Sequence, residues 1–432
     1  MNFLKFKTLA IALILAACNF QTLHAFEYEL NSIVKHPTKN ELYIGGEFKT
    51  IIVMDSEKGT LIKGIPTSFD VKKLTVASNG NILISNYQQL AIYNPETGTT
   101  TSFNGSGDIH TFNNSAYFLD VSSYYKKIKI YNVGDQTLYS EIELTNSPRM
   151  LSYSPITKQL YLFSDQIDIK NEKSLIVKEV VKSDGYNTYN GAYVSQQSDG
   201  KGQIYQIYDV AGKKIINQTE LPYFMSSSFS KTISPVKNDL YVLYWDGFVK
   251  ISNQKNCTPI ETDLATYAYA TGSTSNGSHF ICSSMKDGFI YDTQSGVAKS
   301  FDLAIDYSDR AYTSDIFFDG ELAYILTADY NVYKMDLSGN KKMSFNFAQN
   351  GTSGISYQVL YYNGYSQKTD QDKEVSAINS ALKTKGLPGI SLEGLSGYVL
   401  VTGFGDIASA KNFIAGMKDK TTYGFKINPV SK

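Results

Sequence analysis

The chain repeats itself eight times at intervals of about 40 residues, and each copy ends a short apolar strand on Asn or Asp before a turn. The strings are IVMDSEKG at Asp55, AIYNPETG at Asn94, KIYNVGD at Asn132, IDIKNEK at Asn171, QIYDVAG at Asp209, VKISNQK at Asn253, FIYDTQSG at Asp292 and VYKMDLSG at Asp336. Successive Asn/Asp positions lie 39, 38, 39, 38, 44, 39 and 44 residues apart. A unit of this length cannot bury its own apolar face, so it stacks on its neighbours.

Each unit carries a second strand about a dozen residues upstream: ELYIGG, NILISN, SAYFLDV, QLYLFS, GAYVSQ, DLYVLY, SHFICSS and LAYILTA. Aromatic and β-branched runs bounded by Gly, Asn, Asp and Ser read as strands. Two strands per unit, with room for two more, fit a four-stranded propeller blade. The repeat count gives a β-propeller of eight blades, with seven left open because the apolar alternation of IDIKN is short. The N-terminal strand FEYELNS is expected to complete the last blade, so that the ring closes without a free edge. The Trp-Asp and Gly-His signatures of WD40 repeats are missing, and the single tryptophan, Trp245, precedes Asp246 once. In outline the repeats resemble the loosely patterned WD40/YVTN-like propellers of bacterial envelope proteins.

Lys5 and Lys7 precede an unbroken small-apolar stretch from Thr8 to Ala17. That stretch is too short for a membrane-spanning helix, which needs about 20 residues, and has the layout of an export signal over residues 1–25. It ends in Leu-Ala-Ala-Cys at 15–18, which resembles the lipobox of bacterial lipoproteins. The resemblance implies that Cys18 is lipidated and anchors the protein to a membrane; ordinary cleavage after Ala25 is the other reading. Both place the protein outside the cytoplasm, in the periplasm. Cys257 and Cys282 then remain, and an even pair in an exported protein is expected to form one disulfide between adjacent blades.

A net charge of −1 argues against nucleic-acid binding, which needs a basic footprint. The cysteines and the four histidines show no metal-ligand spacing, and no cofactor motif is present. No G-x-S-x-G elbow or other catalytic pattern stands out, so a non-enzyme is expected. His36 precedes Pro37 in a turn, and His279 lies in a central strand beside Phe280, where both read as packing residues.

The pattern changes after Phe347. The polar segment 348–354 reads as a linker between the propeller, 26–347, and a second domain, 355–432. Tyr357–Tyr365 is a strand, and a helix follows with Val375, Ile378, Ala381 and Leu382 on one face. ISLEG and GYVLVTGF are strands. A second helix starts at Asp406 as its N-cap, with Ile407, Ala410, Phe413, Ile414 and Met417 inward, and GFKI closes the domain. The order β-α-β-β-α-β is the ferredoxin-like arrangement.

Val399, Val401, Phe404, Asp406 and Ala410, with Gln358 and Val359 in the first strand, resemble the pattern of the SPOR domain of bacterial envelope proteins. The departures are Leu360 where a small residue is usual and Thr402-Gly403 in place of Gly-Pro. Strand alternation sends Val359, Val399, Val401, Phe425 and Ile427 toward the helices and Gln358, Tyr362, Tyr398, Thr402 and Lys426 to the open face. The resemblance implies that this face binds peptidoglycan glycan strands, with amide, hydroxyl and aromatic groups meeting sugar. The expected function is a non-catalytic envelope binding protein whose propeller receives a protein partner. An outer-membrane assembly scaffold without glycan binding and a propeller enzyme acting on envelope polysaccharide are the alternatives.

Overall fold

The computed structural model describes residues 30–77, 79–86, 89–104, 270–274, 278–283, 287–303, 312–328, 331–346, 355–362, 391–395, 398–417 and 425–431, with Lys373, Ser376, Thr137 and the strands between 110 and 259 given below. The signal segment with Cys18, and the linker 348–354, lie outside the described residues. The protein is mostly β, built as a succession of small antiparallel sheets.

The first sheet contains Leu30–Lys35, Glu41–Gly46, Thr50–Asp55 and Leu61–Pro66, and the second Lys73–Val76, Ile82–Asn86, Gln89–Asn94 and Thr99–Asn104. The third contains His110–Thr111, Tyr117–Ser122, Lys127–Asn132 and Leu138–Glu143. Three described strands form the fourth, Met150–Ser154, Gln159–Phe163 and Leu175–Glu179, and three the fifth, Gly191–Ser198, Gly202–Asp209 and Lys214–Pro222. The sixth contains Ser230–Ile233, Leu240–Tyr244, Gly247–Ile251 and Cys257–Pro259. The seventh contains Ala270–Ser273, His279–Ser283, Asp287–Asp292 and Ala298–Asp302, and the eighth Thr313–Asp319, Leu322–Thr327, Asn331–Asp336 and Lys341–Asn346. In each, sequence neighbours pair with one another.

Burial explains why the two strand strings of the repeat are so apolar. Leu42, Tyr43 and Ile44 are all fully buried, as are Ile51, Ile52, Val53 and Met54. Successive side chains point to opposite faces, so both faces of these middle strands are covered. Leu42, Ile44, Ile52 and Met54 pack toward Tyr324, Leu326 and Val332 of the eighth sheet. Tyr43, Ile51 and Val53 pack toward Leu74, Ile82 and Ile84 of the second. Ile281 and Ile290 of the seventh meet Ala323, Ile325 and Met335 of the eighth. The seventh, eighth, first and second sheets thus stack face to face in that order. The outer strands are less buried: Leu61–Pro66 is mostly half-buried and Ala298–Asp302 mostly exposed, as edge strands are.

The repeated Asn/Asp is a turn cap. Asp55 Oδ1 accepts from the N–H groups of Glu57 and Lys58, both at 2.8 Å. Asn94 receives Glu96 and Thr97, Asp292 receives Gln294 and Ser295, and Asp336 receives Ser338 and Asn340. A side chain that satisfies its own turn is the property that favours Asn and Asp there. The N–H groups from Lys58 and Glu57 hold the Asp55 carboxyl below its usual range. Lys342, 2.8 Å away, does the same for Asp336, helped by the turn. The glycine that ends each turn takes a left-handed φ, 65° at Gly59 and 71° at Gly98. At Gly98 a side chain would meet open space, whereas at Gly59 it would meet the Phe345 ring at 3.0 Å. Gly59 therefore combines backbone strain with crowding.

Three sequence expectations are corrected. Of FEYELNS, residues 26–29 lie outside the described residues; its described end, in Leu30–Lys35, pairs not with the eighth sheet but with Glu41–Gly46 in the first, in the register Val34↔Tyr43. The connection of five residues, 36–40, makes this local pairing far cheaper in loop entropy than one with the distant last sheet. Cys282 is a free, buried thiol, so the Cys257–Cys282 disulfide is not formed. Cys257 opens the outermost strand of the sixth sheet, whereas Cys282 sits in the second strand of the seventh. Two strand spacings of about 4.8 Å plus the sheet separation exceed the ~7 Å Cα reach of a disulfide. In the fourth unit, the strand that pairs with Gln159–Phe163 is Leu175–Glu179, beyond the expected IDIKN, whose residues lie outside those described.

The C-terminal region forms one more sheet, in the order Ser391–Leu395, Tyr398–Phe404, Ile355–Tyr362, Phe425–Ser431, with all neighbours antiparallel. Helix α1 (Ile407–Met417) packs on its last three strands. Lys373 and Ser376 are helical and exposed.

Candidate functional site

The C-terminal sheet has two unlike sides. Ile355, Tyr357, Val359, Val401, Phe404 and Ile427 are buried on the side covered by α1, which contributes Ala410 and Phe413. The Phe404 and Phe413 rings lie 5.4 Å apart. Asp406 caps the helix as expected: its Oδ1 accepts from the Ser409 N–H at 2.7 Å, and its Oδ2 from the Ser409 hydroxyl at 2.9 Å. Burial and the Asp406 charge push the Tyr357 phenol up to about 12. Among the described residues its hydroxyl is enclosed without a hydrogen-bond partner.

Ser356, Gln358 and Thr402 alternate with the buried residues and are half-buried on the opposite side. Backbone register assigns the remaining expected positions to that side: Tyr362 pairs with Tyr398, and Lys426 pairs with Leu360. Opposed residues in an antiparallel pair share a face, so Gln358, Tyr362, Tyr398, Thr402 and Lys426 lie on one face. The register slips between Tyr357↔Phe404 and Val359↔Val401, so Gln358 stands opposite both Thr402 and Gly403. Gly403, in this bulge, takes φ 100°, a conformation that side chains disfavour. This is where the chain departs from the Gly-Pro of the SPOR pattern.

A second polar constellation lies along the innermost strands. The Ile33 N–H donates to Asp315 Oδ2 at 2.8 Å, joining the first sheet to the eighth. The Ile316 N–H donates to Asp315 Oδ1 at 2.9 Å, and the Ser32 hydroxyl also bonds to this carboxyl. Ser32 Oγ in turn accepts the Leu74 N–H at 3.1 Å, so one relay spans the eighth, first and second sheets. Loss of water pushes the Asp315 carboxyl up to about 6, against the pull of its three donors and the Lys73 charge. Between the seventh and eighth sheets, the Ser283 and Thr313 hydroxyls meet at 2.7 Å. Two ion pairs, Lys35–Asp319 and Lys334–Glu57, both 2.8 Å, also bridge the first and eighth sheets. Sequence reasoning missed this relay: the inner strands LNSIVK and TSDIFFD mix polar and apolar residues, so neither Ser32 nor Asp315 stands out in them.

His36 is buried, and its Nδ1 accepts the N–H groups of Thr38 at 3.2 Å and Lys39 at 3.1 Å. Burial and the Lys39 charge hold its pKa below the ordinary histidine value. This matches the packing role read from its turn. Among the described residues, no group of three or more His, Cys, Asp or Glu side chains is placed to hold a metal ion.

No protein-family model matches the chain, and no curated protein matches it. Among solved structures, one described as "Structure of U3-55K" is similar over 71% of this chain and 90% of that one, with a TM-score of 0.45 and 11% identity. A likeness of that degree carries no functional argument.

Proposed function

We propose that this is an exported, non-catalytic binding protein of the bacterial cell envelope, a lipoprotein anchored through Cys18. In this reading residues 26–347 form a closed ring of eight blades that receives an envelope protein, and residues 355–432 form a SPOR-like ferredoxin domain that grips peptidoglycan glycan strands. Support for the ring comes from eight meander sheets among the described residues and from the packing of the eighth on the first. The observation that carries the glycan reading is the C-terminal sheet: fourth strand, first, third, second, with α1 on one side and Gln358, Tyr362, Tyr398, Thr402 and Lys426 on the other. Sugars offer hydroxyls to amide and hydroxyl groups and C–H faces to rings.

The test is retention of the exported chain on isolated peptidoglycan sacculi, before and after amidase removal of the stem peptides. Retention should rise on stripped glycan. Loss of one side-chain hydrogen bond costs roughly 0.5–1.5 kcal/mol, so Gln358→Ala and Tyr398→Ala should each weaken retention by about 2- to 10-fold. Asn412→Ala, on the exposed side of α1, should be silent. Equal retention of all three variants, or none of the wild type, would reject glycan binding and favour protein docking by the same face.

A further inference from the structure

In a ring of sheets, each junction but one is crossed by the chain running from one sheet to the next. The exception is the seam between first and last, where a closing strand could supply the missing link. Among the described residues no such link is seen: Leu30–Lys35 heads its own sheet and all four strands of the eighth come from 313–346. Without a tether, bringing the two ends together has an unrelieved entropic cost.

The C-terminal unit lies across this seam. It continues the chain directly from the eighth sheet, and its last strand, Phe425–Ser431, packs along Leu61–Pro66 and reaches Thr50–Asp55 of the first. A single apolar cluster contains Ile44 and Met54 of the first sheet, Tyr324 and Phe345 of the eighth, and Tyr357, Val359 and Phe413 of the C-terminal unit. Leu61 and Met343, from the outer strands of the two sheets, pack against that cluster.

We propose that the C-terminal unit is the outer clasp of the propeller: tethered to the eighth sheet by the chain, it grips the first and holds the seam shut. The tether turns this grip into an intramolecular contact at high effective concentration. The Asp315–Ser32 relay and the Lys35–Asp319 pair close the same seam from other sides. This role concerns the helix-covered side and the edge of the sheet, and stands whether or not the opposite face binds glycan.

Two measurements on the full chain test it. First, a protease site inserted within 348–354 is cut after folding. The two fragments should stay together in gel filtration, and their separation with undiminished amide protection of Leu30–Lys35 would overturn the clasp. Second, Phe413→Ala loosens the unit from within. Amide exchange should then rise about tenfold or more in Leu30–Lys35 and Thr313–Asp319, while Gln89–Asn94 in the second sheet keeps its protection. Faster exchange confined to the C-terminal strands would overturn the proposal. If Phe413→Ala does not fold, the cut chain decides.

Discussion

Replacing Asp315 with Ala should destabilise the fold by about 3 kcal/mol, because the Ile33 and Ile316 N–H groups and the Ser32 hydroxyl lose their acceptor. Asp315→Asn keeps one acceptor oxygen and removes the charge, so it should cost less and change the pH dependence. The folded carboxyl, pushed up to about 6 from 3.8, holds its proton more tightly than the unfolded chain does. Between about pH 4 and 6 the native state therefore binds the extra proton, and stability falls as pH rises through that window. The stability of the wild type minus that of the Asp315→Asn variant should be largest at and below about pH 4, decline to about pH 6 and stay flat above. Urea midpoints from pH 4 to 8 read this directly, and parallel curves for the two proteins would reject it. His36 acts in the opposite sense, since a buried neutral imidazole loses stability as pH drops below about 6.5. Only the comparison of single variants separates the two groups.

Gly80→Ala should cost about 2–4 kcal/mol, the sum of a left-handed backbone near 1–2 kcal/mol and a steric conflict of similar size. Gly80 takes φ 88°, and a Cβ there would collide with His36 Nε2. That ring cannot easily retreat, because its other nitrogen is fastened by the Thr38 and Lys39 N–H groups. Removing the ring should relieve the conflict and leave the backbone strain. In a His36→Ala background, Gly80→Ala should therefore cost only about 1–2 kcal/mol, and a double-mutant cycle by thermal or urea unfolding measures the difference. Full additivity would mean that the ring and the glycine do not meet.

The turn caps at Asp55, Asn94, Asp292 and Asp336 were legible because each carboxyl or amide bonds to N–H groups two to four residues on. The Asp406 cap is equally local, since it serves Ser409. Both are written within a few consecutive residues. The face shared by Gln358 and Thr402 was legible for a similar reason, since strand alternation has a period of two. Its bulge at Gly403 was visible only as a departure from a resembled pattern.

Everything that concerns the seam was hidden. The Ile33–Asp315 bond joins residues 282 positions apart, and no periodicity relates them. The pairing of Leu30–Lys35 depended on competition between a short hairpin and a distant closing strand, which the residue types of FEYELNS do not arbitrate. The separation of Cys257 from Cys282 depended on which strand of each sheet holds them, and the pairing of an even cysteine count contains no distances. The sequence by itself determined the repeat, its turns and its middle strands, because these arise from short continuous apolar runs and local hydrogen bonds. Only the tertiary structure decided how the first sheet meets the eighth, where Asp315 loses its water and where the C-terminal unit docks, because those energies come from apolar surfaces and polar groups brought together from opposite ends of the chain.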